Sequence, residues 1–343
     1  MKISKYIFLA AGALLLVFLF QKLGITTTIE HIRKTGWGGF ALICSIFILS
    51  NIFLAYAWRV LINYPVPHGN FYRFVLARVA GDATSSINAL GAAAGEPLKA
   101  MYVRDIVPFR TGLATVVLDR LIHIISNVLM VLTGMFAGLF VFREQFMNNL
   151  AVFIGLLVFF IGMLVVTFRM IRAHSSGLVA GVINRLPEFM SKRLMTEGRR
   201  EKIERIDSEI SFIFSSRDNL NHFYISLALH YFAIVISCSL EIWLIVKFIS
   251  PVAGFTFIEA LFVYIFGFIA TSALFFVPAN VGTSEGSYSI ALKILGYDPV
   301  IGLSVGIIRR FRTFVWAGIG VALLFYAGLI KKEIKTDEDI TGR

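Results

Sequence analysis

Long apolar runs dominate this sequence, and their length limits the folds that the chain can adopt. A helix needs about 20 apolar residues to cross the hydrocarbon core of a bilayer. Six runs approach or exceed this length: residues 6–20, 38–62, 112–142, 150–171, 222–249 and 300–330. With 57% hydrophobic residues in a chain of 343, a soluble protein could not bury this much apolar surface. We therefore expect an all-α polytopic membrane protein with about six full transmembrane helices.

Basic residues between the runs indicate how the spans are oriented. The run 6–20 is interpreted as a retained anchor, because it lacks a small-residue cleavage site. The segment 172–217 holds nine Lys and Arg residues, and further lysines flank the first and last runs. Six crossings place these basic regions on the cytoplasmic side, as the positive-inside rule requires. We therefore expect a protein of the cytoplasmic membrane with both termini in the cytoplasm. This orientation leaves Lys22, Arg33 and Lys34 on the outside.

Two further apolar segments, residues 71–104 and 257–296, are interrupted near the middle by small residues and proline. An unbroken helix of this length would overshoot the membrane, so each segment is predicted to form a re-entrant helical hairpin. Irregular backbone at membrane depth must be buried in protein or line a cavity. Three full crossings separate the two hairpins, so they are expected to enter from opposite faces. The result is an inverted repeat, an architecture typical of transporters.

These features divide a single transmembrane domain, residues 1–343, into two related halves. The first repeat covers residues 36–142 and the second covers residues 221–330. Between them, the segment 172–217 carries isoleucines at helical spacing, which is typical of an amphipathic helix on the cytoplasmic membrane surface. A plain connector helix packed on the bundle explains this pattern equally well.

Each hairpin break carries a glutamate, and an arginine follows it in the next apolar run. Glu96 precedes Arg120, and Glu285 precedes Arg310, with a difference of one residue in the two spacings. Ionisable groups at membrane depth cost roughly 2.5–3.5 kcal/mol each on insertion scales, so a repeated pair is expected to be functional. Because interrupted helices in repeats point to transporter sites, we predict a substrate cavity between the two repeats.

The charged residues suggest two kinds of chemistry. Glu96 and Glu285 could bind a cationic head group, take up a proton or neutralise an arginine. Arginine offers a planar fork suited to phosphate, but Asp119 or Glu96 could also pair internally with Arg120 or Arg310. Arg78 and Asp82 fit an i,i+4 pair. The predicted substrate-binding residues are Glu96, Lys99, Asp119, Arg120, Glu241, Ser284, Glu285, Arg309 and Arg310.

Other site types are weakly supported by the residues. Residues 282–286 match the GxSxG pattern of serine nucleophiles, but they follow an apolar run rather than a strand. The six histidines show no HExxH spacing and no GxxxxGK[ST] loop occurs, so no metal, cofactor or ATP site is expected. The net charge of +11 is explained by orienting loop residues, so no nucleic-acid partner is expected.

Four short motifs carry a family resemblance. They are AGEPLK at 94–99, VLDRL at 117–121, PANVGTSEG at 278–286 and IRRF at 308–311. In this order and spacing they resemble the transmembrane-region family of lysylphosphatidylglycerol synthases, over nearly the whole chain. The family usually has a glycine-richer stretch before the second glutamate, and residues 278–280 depart modestly from it.

The resemblance implies a lipid-handling function. In bifunctional members this region is similar to a lipid flippase module, followed by a soluble aminoacyl-transferase domain that this chain is expected to lack. Synthase activity is therefore not implied. The resemblance implies a transporter that moves an anionic phospholipid or a lipid-linked, polyprenyl-type substrate between leaflets.

Two alternatives stay open. The first is an integral membrane enzyme that modifies a lipid through Ser284 or the Glu/Asp pairs. The second is a non-transporting scaffold that recruits a separate lipid synthase or glycosyltransferase through the basic segment 172–217. Loss of the buried charges would abolish transport but leave a scaffold intact. The residues indicate no particular oligomeric state.

Overall fold

The computed structural model describes the greater part of the chain. The described residues are 21, 25–87, 92–141, 154–155, 157–158, 161–162, 164–165, 207–208, 217–250, 254–274, 277 and 280–328. The predicted span 6–20 lies outside these residues, and so does most of the span 150–171 and of the connector 172–217.

Helices make up the regular structure of the described residues, as the all-α prediction requires. We number them α1 (Ile25–Val60), α2 (Phe71–Ile87), α3 (Ala92–Tyr102), α4 (Phe109–Val141), α5 (Arg217–Ile249), α6 (Phe257–Ala273), α7 (Thr283–Ile294) and α8 (Pro299–Tyr326). α1 begins at Ile25, before the predicted span 38–62. Gly36, with a φ of 61°, interrupts its helical geometry and separates a first helical stretch from the apolar one. Glycine adopts this left-handed conformation without steric cost, so the chain bends there and the apolar helix follows.

Three described helices are long and apolar enough to cross a membrane. They are α1 over Thr26–Val60, α4 over Phe109–Ala137 and α5 over Asn219–Ile249. α8 has 28 residues, which at 1.5 Å per residue gives a length of about 42 Å. Three arginines near its middle interrupt its apolar surface, so length alone does not establish that it crosses. The chain is thus a membrane protein, and a total of six crossings stays a prediction.

Two pairs of shorter helices form antiparallel hairpins at the predicted positions. In the α2–α3 pair, Arg73 Nη2 at the start of α2 lies 3.3 Å from Asp105 Oδ2, just after α3. In the α6–α7 pair, the hydroxyl of Tyr297, just after α7, donates to Glu259 Oε1 at 2.9 Å. Burial and this hydrogen bond raise the pKa of Tyr297 to about 12, so its phenol remains a donor at neutral pH. Each hairpin is therefore closed at its base by a polar contact.

Local sequence explains how α6 begins. Thr256 caps the helix by accepting from the backbone N–H of Glu259, and the Glu259 side chain accepts from the backbone N–H of Thr256 at 2.7 Å. This reciprocal capping box satisfies two backbone donors that a helix start leaves unpaired. Glu259 thus fixes both the start of α6 and, through Tyr297, the base of the hairpin.

The chain divides into two compact units, and each contains one hairpin. The α6–α7 unit comprises Met1–Ser50, Asn127–Ile161 and Phe232–Val315. The α2–α3 unit comprises Asn51–Ser126, Gly162–Tyr231 and Trp316–Arg343. The units do not follow the predicted repeats along the sequence, because α1, α4, α5 and α8 each contribute residues to both.

Aromatic packing organises the α2–α3 unit. Trp58 of α1 and Phe74 of α2 are both fully buried and meet edge to face, with ring centroids 5.0 Å apart. The indole of Trp58 donates to Thr115 Oγ1 of α4 at 3.1 Å. One turn further along α2 and α4 lie Arg78 and Asp119. The packing of three apolar helices therefore brings two charged side chains face to face inside the protein.

Glycines organise the contact between α7 and α8 in the other unit. A Cβ at Gly302 would lie 2.4 Å from the backbone nitrogen of Ser289, and a Cβ at Gly306 would lie 2.9 Å from Glu285 Cα. Only glycine permits backbones to approach this closely, as at other membrane helix interfaces. The next turn of α8 carries Arg309 and Arg310, which are thereby placed beside α7.

Candidate functional site

Charged side chains that are buried or half-buried gather in each unit. We call the set in the α2–α3 unit the acidic cluster, which comprises Arg78, Asp82, Glu96, Lys99, Asp119 and His230. We call the set in the α6–α7 unit the arginine cluster, which comprises Glu241, Ser284, Glu285, Tyr288, Arg309, Arg310 and Arg312.

Asp119 holds the centre of the acidic cluster. Its Oδ2 accepts from Arg78 Nη1 at 2.8 Å, and both side chains are only 4% exposed. His230 Nε2 of α5 lies 3.1 Å from Asp119 Oδ1, with the His230 side chain fully buried. The carboxylate of Asp119 thus bridges a guanidinium and an imidazole that come from two other helices.

Lys99 holds the second part of the acidic cluster. Its Nζ lies 3.0 Å from Asp82 Oδ1 and 3.4 Å from Glu96 Oε2, and its side chain is nearly fully buried. The α2–α3 contact that permits this arrangement is very close. A Cβ at Gly95 would lie 2.2 Å from the carbonyl oxygen of Gly81, so position 95 requires glycine.

The acidic cluster holds more carboxylates than cationic side chains. Three carboxylates, those of Asp82, Glu96 and Asp119, face the two cations Arg78 and Lys99. Buried charges are stable only when paired, so an excess carboxylate favours the uptake of a proton or of a cationic group. Both ring nitrogens of His230 lie against acceptors, because Nδ1 is 3.0 Å from the carbonyl oxygen of Ser226 and Nε2 is 3.1 Å from Asp119 Oδ1.

The ion pair of Glu285 and Arg310 lies at the start of α7. Glu285 is 0% exposed, and its Oε1 accepts from Arg310 Nε at 2.6 Å. Ser284 Oγ donates to Glu285 Oε2 at 2.9 Å and accepts from Arg310 Nη2 at 3.2 Å. Asn280, with a φ of 51°, turns its carbonyl to accept from Arg310 Nη2 at 3.1 Å. Asparagine tolerates this left-handed conformation better than most residues, which explains its place in the turn.

Glu241 of α5 binds the other two arginines of α8. Its Oε2 lies 3.1 Å from Arg309 Nε and its Oε1 lies 2.8 Å from Arg312 Nη1. Arg309 also donates from Nη1 to the hydroxyl of Tyr288, and its guanidinium lies 5.3 Å from the centroid of that ring. A carboxylate and an aromatic ring therefore hold Arg309 in one orientation.

The arginine cluster holds more cations than carboxylates. Three arginines face two carboxylates, and the side chains of Arg309, Arg310 and Arg312 are 13%, 18% and 14% exposed. The carboxylates, in contrast, are at most 2% exposed. Part of each arginine side chain therefore remains accessible, while the carboxylates are enclosed.

Side chains that contact each other occupy matching positions in the two units. Arg78 and Tyr264 are each the eighth residue of the first hairpin helix, and Asp119 and Arg309 are each the eleventh residue of the long helix that follows the hairpin. Arg78 binds Asp119, and Arg309 lies 5.2 Å from the centroid of the Tyr264 ring. The same pair of positions is thus in contact in both units, through an ion pair in the α2–α3 unit and a cation–π contact in the α6–α7 unit.

A second pair of positions repeats as well. Gly81 and Gly267 are each the eleventh residue of the first hairpin helix. A Cβ at Gly81 would lie 2.5 Å from Lys99 Cγ, and a Cβ at Gly267 would lie 2.2 Å from Tyr288 Cε1. Lys99 and Tyr288 each follow the cluster glutamate by three residues. The two units therefore repeat one arrangement with different side chains.

Comparison with known proteins agrees with the motifs. The chain matches the lysylphosphatidylglycerol synthase TM region family over residues 6–321. The chain belongs to this family. No curated protein and no solved structure matches it. Family membership and the three apolar helices together identify a membrane protein, and this family is consistent with a lipid-related function.

The structure brings most of the predicted site residues of this family member into the two clusters. The acidic cluster contains Glu96, Lys99 and Asp119, and the arginine cluster contains Glu241, Ser284, Glu285, Arg309 and Arg310. Arg120 lies apart, because its side chain is exposed and has no ion-pair partner among the described residues. Consecutive residues of a helix point about 100° apart, so Asp119 and Arg120 cannot share one buried partner.

Sequence reasoning did not assign five members of the clusters to the site: Arg78, Asp82, His230, Tyr288 and Arg312. Arg78 was expected to pair with Asp82 in its own helix, but its Nη1 lies 2.8 Å from Asp119 of α4. His230 gave no signal, because a lone histidine in an apolar run has no local partner. Arg312 could have been found, since it shares an apolar helix with Arg309 and Arg310.

Proposed function

We propose that this protein is a flippase-type transporter that moves an anionic phospholipid, or a lipid-linked substrate of the polyprenyl type, between membrane leaflets. The arginine cluster is the observation that carries the proposal. It offers three partly accessible guanidiniums with one positive charge in excess, inside helices of a membrane protein. An intramembrane cation of this kind is costly unless it serves a substrate or a counter-ion.

Phosphate is the ligand that suits this cluster best. A guanidinium presents several N–H donors in one plane and binds phosphate oxygens through two of them at once. Glu285 and Glu241 hold Arg310, Arg309 and Arg312 in place before a ligand arrives. A lipid phosphate can then bind without rearrangement of the arginines, by accepting hydrogen bonds from some of their N–H donors.

The acidic cluster supports a second role in the same cycle. Its excess carboxylate can take up a proton, and His230 lies next to Asp119 with its Nε2 3.1 Å from Asp119 Oδ1. A proton gradient is therefore our proposed source of energy. Asp82 and Glu96, with side chains 36% and 13% exposed, are the accessible carboxylates of this cluster, and we propose that protons enter through them.

Helix lengths support the proposal that both hairpins are re-entrant. α3 has 11 residues and α7 has 12, which correspond to about 16 Å and 18 Å. The hydrocarbon core is about 30 Å thick, so neither helix crosses it. Glu96 and Glu285 then lie near the hairpin tips at membrane depth. In this topology the protein lies in the cytoplasmic membrane with both termini in the cytoplasm.

A reconstituted transport assay tests the proposal. Protein in liposomes that carry fluorescent phosphatidylglycerol is exposed to a reductant that bleaches only the outer leaflet, and bleaching beyond half of the signal measures transport. We expect transport by the wild type, with loss of more than tenfold in the rate for Arg310→Gln and for Glu96→Gln. Arg110→Gln, an exposed residue of α4 outside both clusters, is the matched control and is expected to transport normally.

The same assay separates transport from the two alternatives. Normal transport by Arg310→Gln and Glu96→Gln would contradict the proposed site. Conversion of the lipid to a new product, abolished in Ser284→Ala, would indicate an enzyme instead. Absence of both transport and turnover in the wild type would favour a scaffold.

A further inference from the structure

A separate cavity lies at the base of the α2–α3 hairpin. It has a volume of about 190 Å³ and lies entirely within the α2–α3 unit. Its polar lining consists of Tyr72, Arg73, Tyr102, Arg104, Asp105 and Tyr326. None of these residues belongs to the acidic cluster, so the cavity needs an explanation of its own.

The cavity is formed by the ends of helices. Tyr72 and Arg73 stand in the first turn of α2, Tyr102 ends α3, and Tyr326 ends α8. Tyrosine and arginine at helix ends are typical of the membrane–water interface, where the ring lies at head-group level. The cavity is therefore placed at the depth of lipid head groups rather than in the hydrocarbon core.

The lining carries an excess of positive charge. Arg73 Nη2 lies 3.3 Å from Asp105 Oδ2, and Arg104 Nε lies 3.9 Å from Asp105 Oδ1. One carboxylate thus serves two guanidiniums, and at 66% exposure it is a weak partner for either. Three phenols add further hydrogen-bond donors, so the cavity suits an anion with several oxygens.

We propose that this cavity binds the phosphate of an anionic phospholipid at the membrane interface. The two guanidiniums supply planar donors for phosphate oxygens. The exposed rings of Tyr72 and Tyr326 lie beside them, where the glycerol and upper acyl chain of a lipid would run. Basic pockets between transmembrane helices recognise anionic head groups in this way. The site is independent of the arginine cluster and stands whether or not the protein transports lipid.

Asp105 determines how tightly the site binds. Its carboxylate occupies the same guanidinium donors that a phosphate needs, so the ligand must displace it. Asp105→Asn removes this competitor and keeps the shape of the side chain. We therefore expect Asp105→Asn to bind the lipid more tightly, by about threefold, as for loss of an exposed ion pair. A gain in affinity is not an effect that misfolding can mimic.

Titration of the full-length protein in detergent with short-chain phosphatidylglycerol tests the proposal. Separate titrations with short-chain phosphatidylcholine and with inorganic phosphate distinguish the anionic lipid from a zwitterionic lipid and from a free anion. We expect Arg104→Gln to weaken phosphatidylglycerol binding about tenfold, the size of one charged hydrogen bond. Arg110→Gln removes an equal charge from the start of α4, outside the cavity, and is expected to bind like the wild type.

The outcomes are distinct. Tighter binding by Asp105→Asn together with weaker binding by Arg104→Gln supports the site. Equal weakening in Arg104→Gln and Arg110→Gln would reduce the effect to general charge attraction and overturn it. Equal affinity for phosphatidylcholine, or competition by inorganic phosphate at the same concentration, would overturn the assignment to an anionic lipid. All of these variants retain the arginine cluster, so transport in liposomes reports on the proposed function separately.

Discussion

Replacement of Arg78 tests the buried pair at the centre of the acidic cluster. Arg78→Met keeps the length and apolar stem of the side chain but removes the guanidinium that lies 2.8 Å from Asp119. Asp119 is then left as a carboxylate 4% exposed, with His230 Nε2 at 3.1 Å beside it. The variant should therefore be much less stable than the wild type.

The size of the loss follows from the burial of the pair. Removing one partner of a buried pair costs about 3–5 kcal/mol, because the other charge stays uncompensated. Protonation of Asp119 sets a ceiling of about 4 kcal/mol at pH 7, since an aspartate titrates near 3.9 and each pH unit is worth about 1.36 kcal/mol. We therefore expect a loss of about 3–4 kcal/mol in the free energy of unfolding.

Unfolding in mixed detergent micelles measures this free energy. The double variant Arg78→Met/Asp119→Leu removes both charges and should recover all but about 1 kcal/mol, so it should be about 2–3 kcal/mol more stable than Arg78→Met alone. Arg120→Met is the matched control, because it removes the exposed arginine next to Asp119, and it should lie within about 0.5 kcal/mol of the wild type. The reasoning is refuted if Arg120→Met costs as much as Arg78→Met, or if the double variant is no more stable than the single one.

Two further predictions concern the α6–α7 hairpin. Gly267→Ala should lower the melting temperature, because its Cβ would lie 2.2 Å from a ring carbon of Tyr288 and overpacking costs about 1–3 kcal/mol. Gly38→Ala, with nothing within 4 Å of the new Cβ, should leave it unchanged or raise it, and an equal loss in both would disprove the close contact. Tyr297→Phe should destabilise the protein by about 1 kcal/mol, because it removes the bond to Glu259 at the hairpin base, and an unchanged unfolding free energy would show that this bond does not hold the hairpin.

The spacing of residues along the chain was sufficient to predict some contacts of the candidate site but not others. Glu96 and Lys99 lie one turn apart on α3, and their contact follows from that spacing. The repeated order of glutamate and arginine pointed to Glu285 and Arg310, whose side chains lie 2.6 Å apart. The partner of Asp119 could not be found in this way, because Arg78 reaches it from another helix.

Tertiary packing decided what the sequence pattern left open. Trp58, Phe74 and Thr115 fix the register of three helices, and that register alone brings Arg78 to Asp119. The apolar runs predicted the helices but not their grouping, since contacts along α4 divide it between two compact units. A pattern of hydrophobic residues identifies a membrane helix. Which other helices pack against it depends on how well their side chains fit together.

Cross-linking of a lipid to the arginine cluster is the most direct test of the proposed transport site. Phosphatidylglycerol with a photoreactive group near its head group is reacted with the protein in liposomes, and the labelled peptides are mapped by mass spectrometry. We expect labelled peptides from Thr283–Ile294 and from the first half of Pro299–Tyr326, and loss of this label in Arg310→Gln. Labelling that avoids these peptides in the wild type, or that persists unchanged in Arg310→Gln, would contradict a substrate phosphate bound by the arginine cluster.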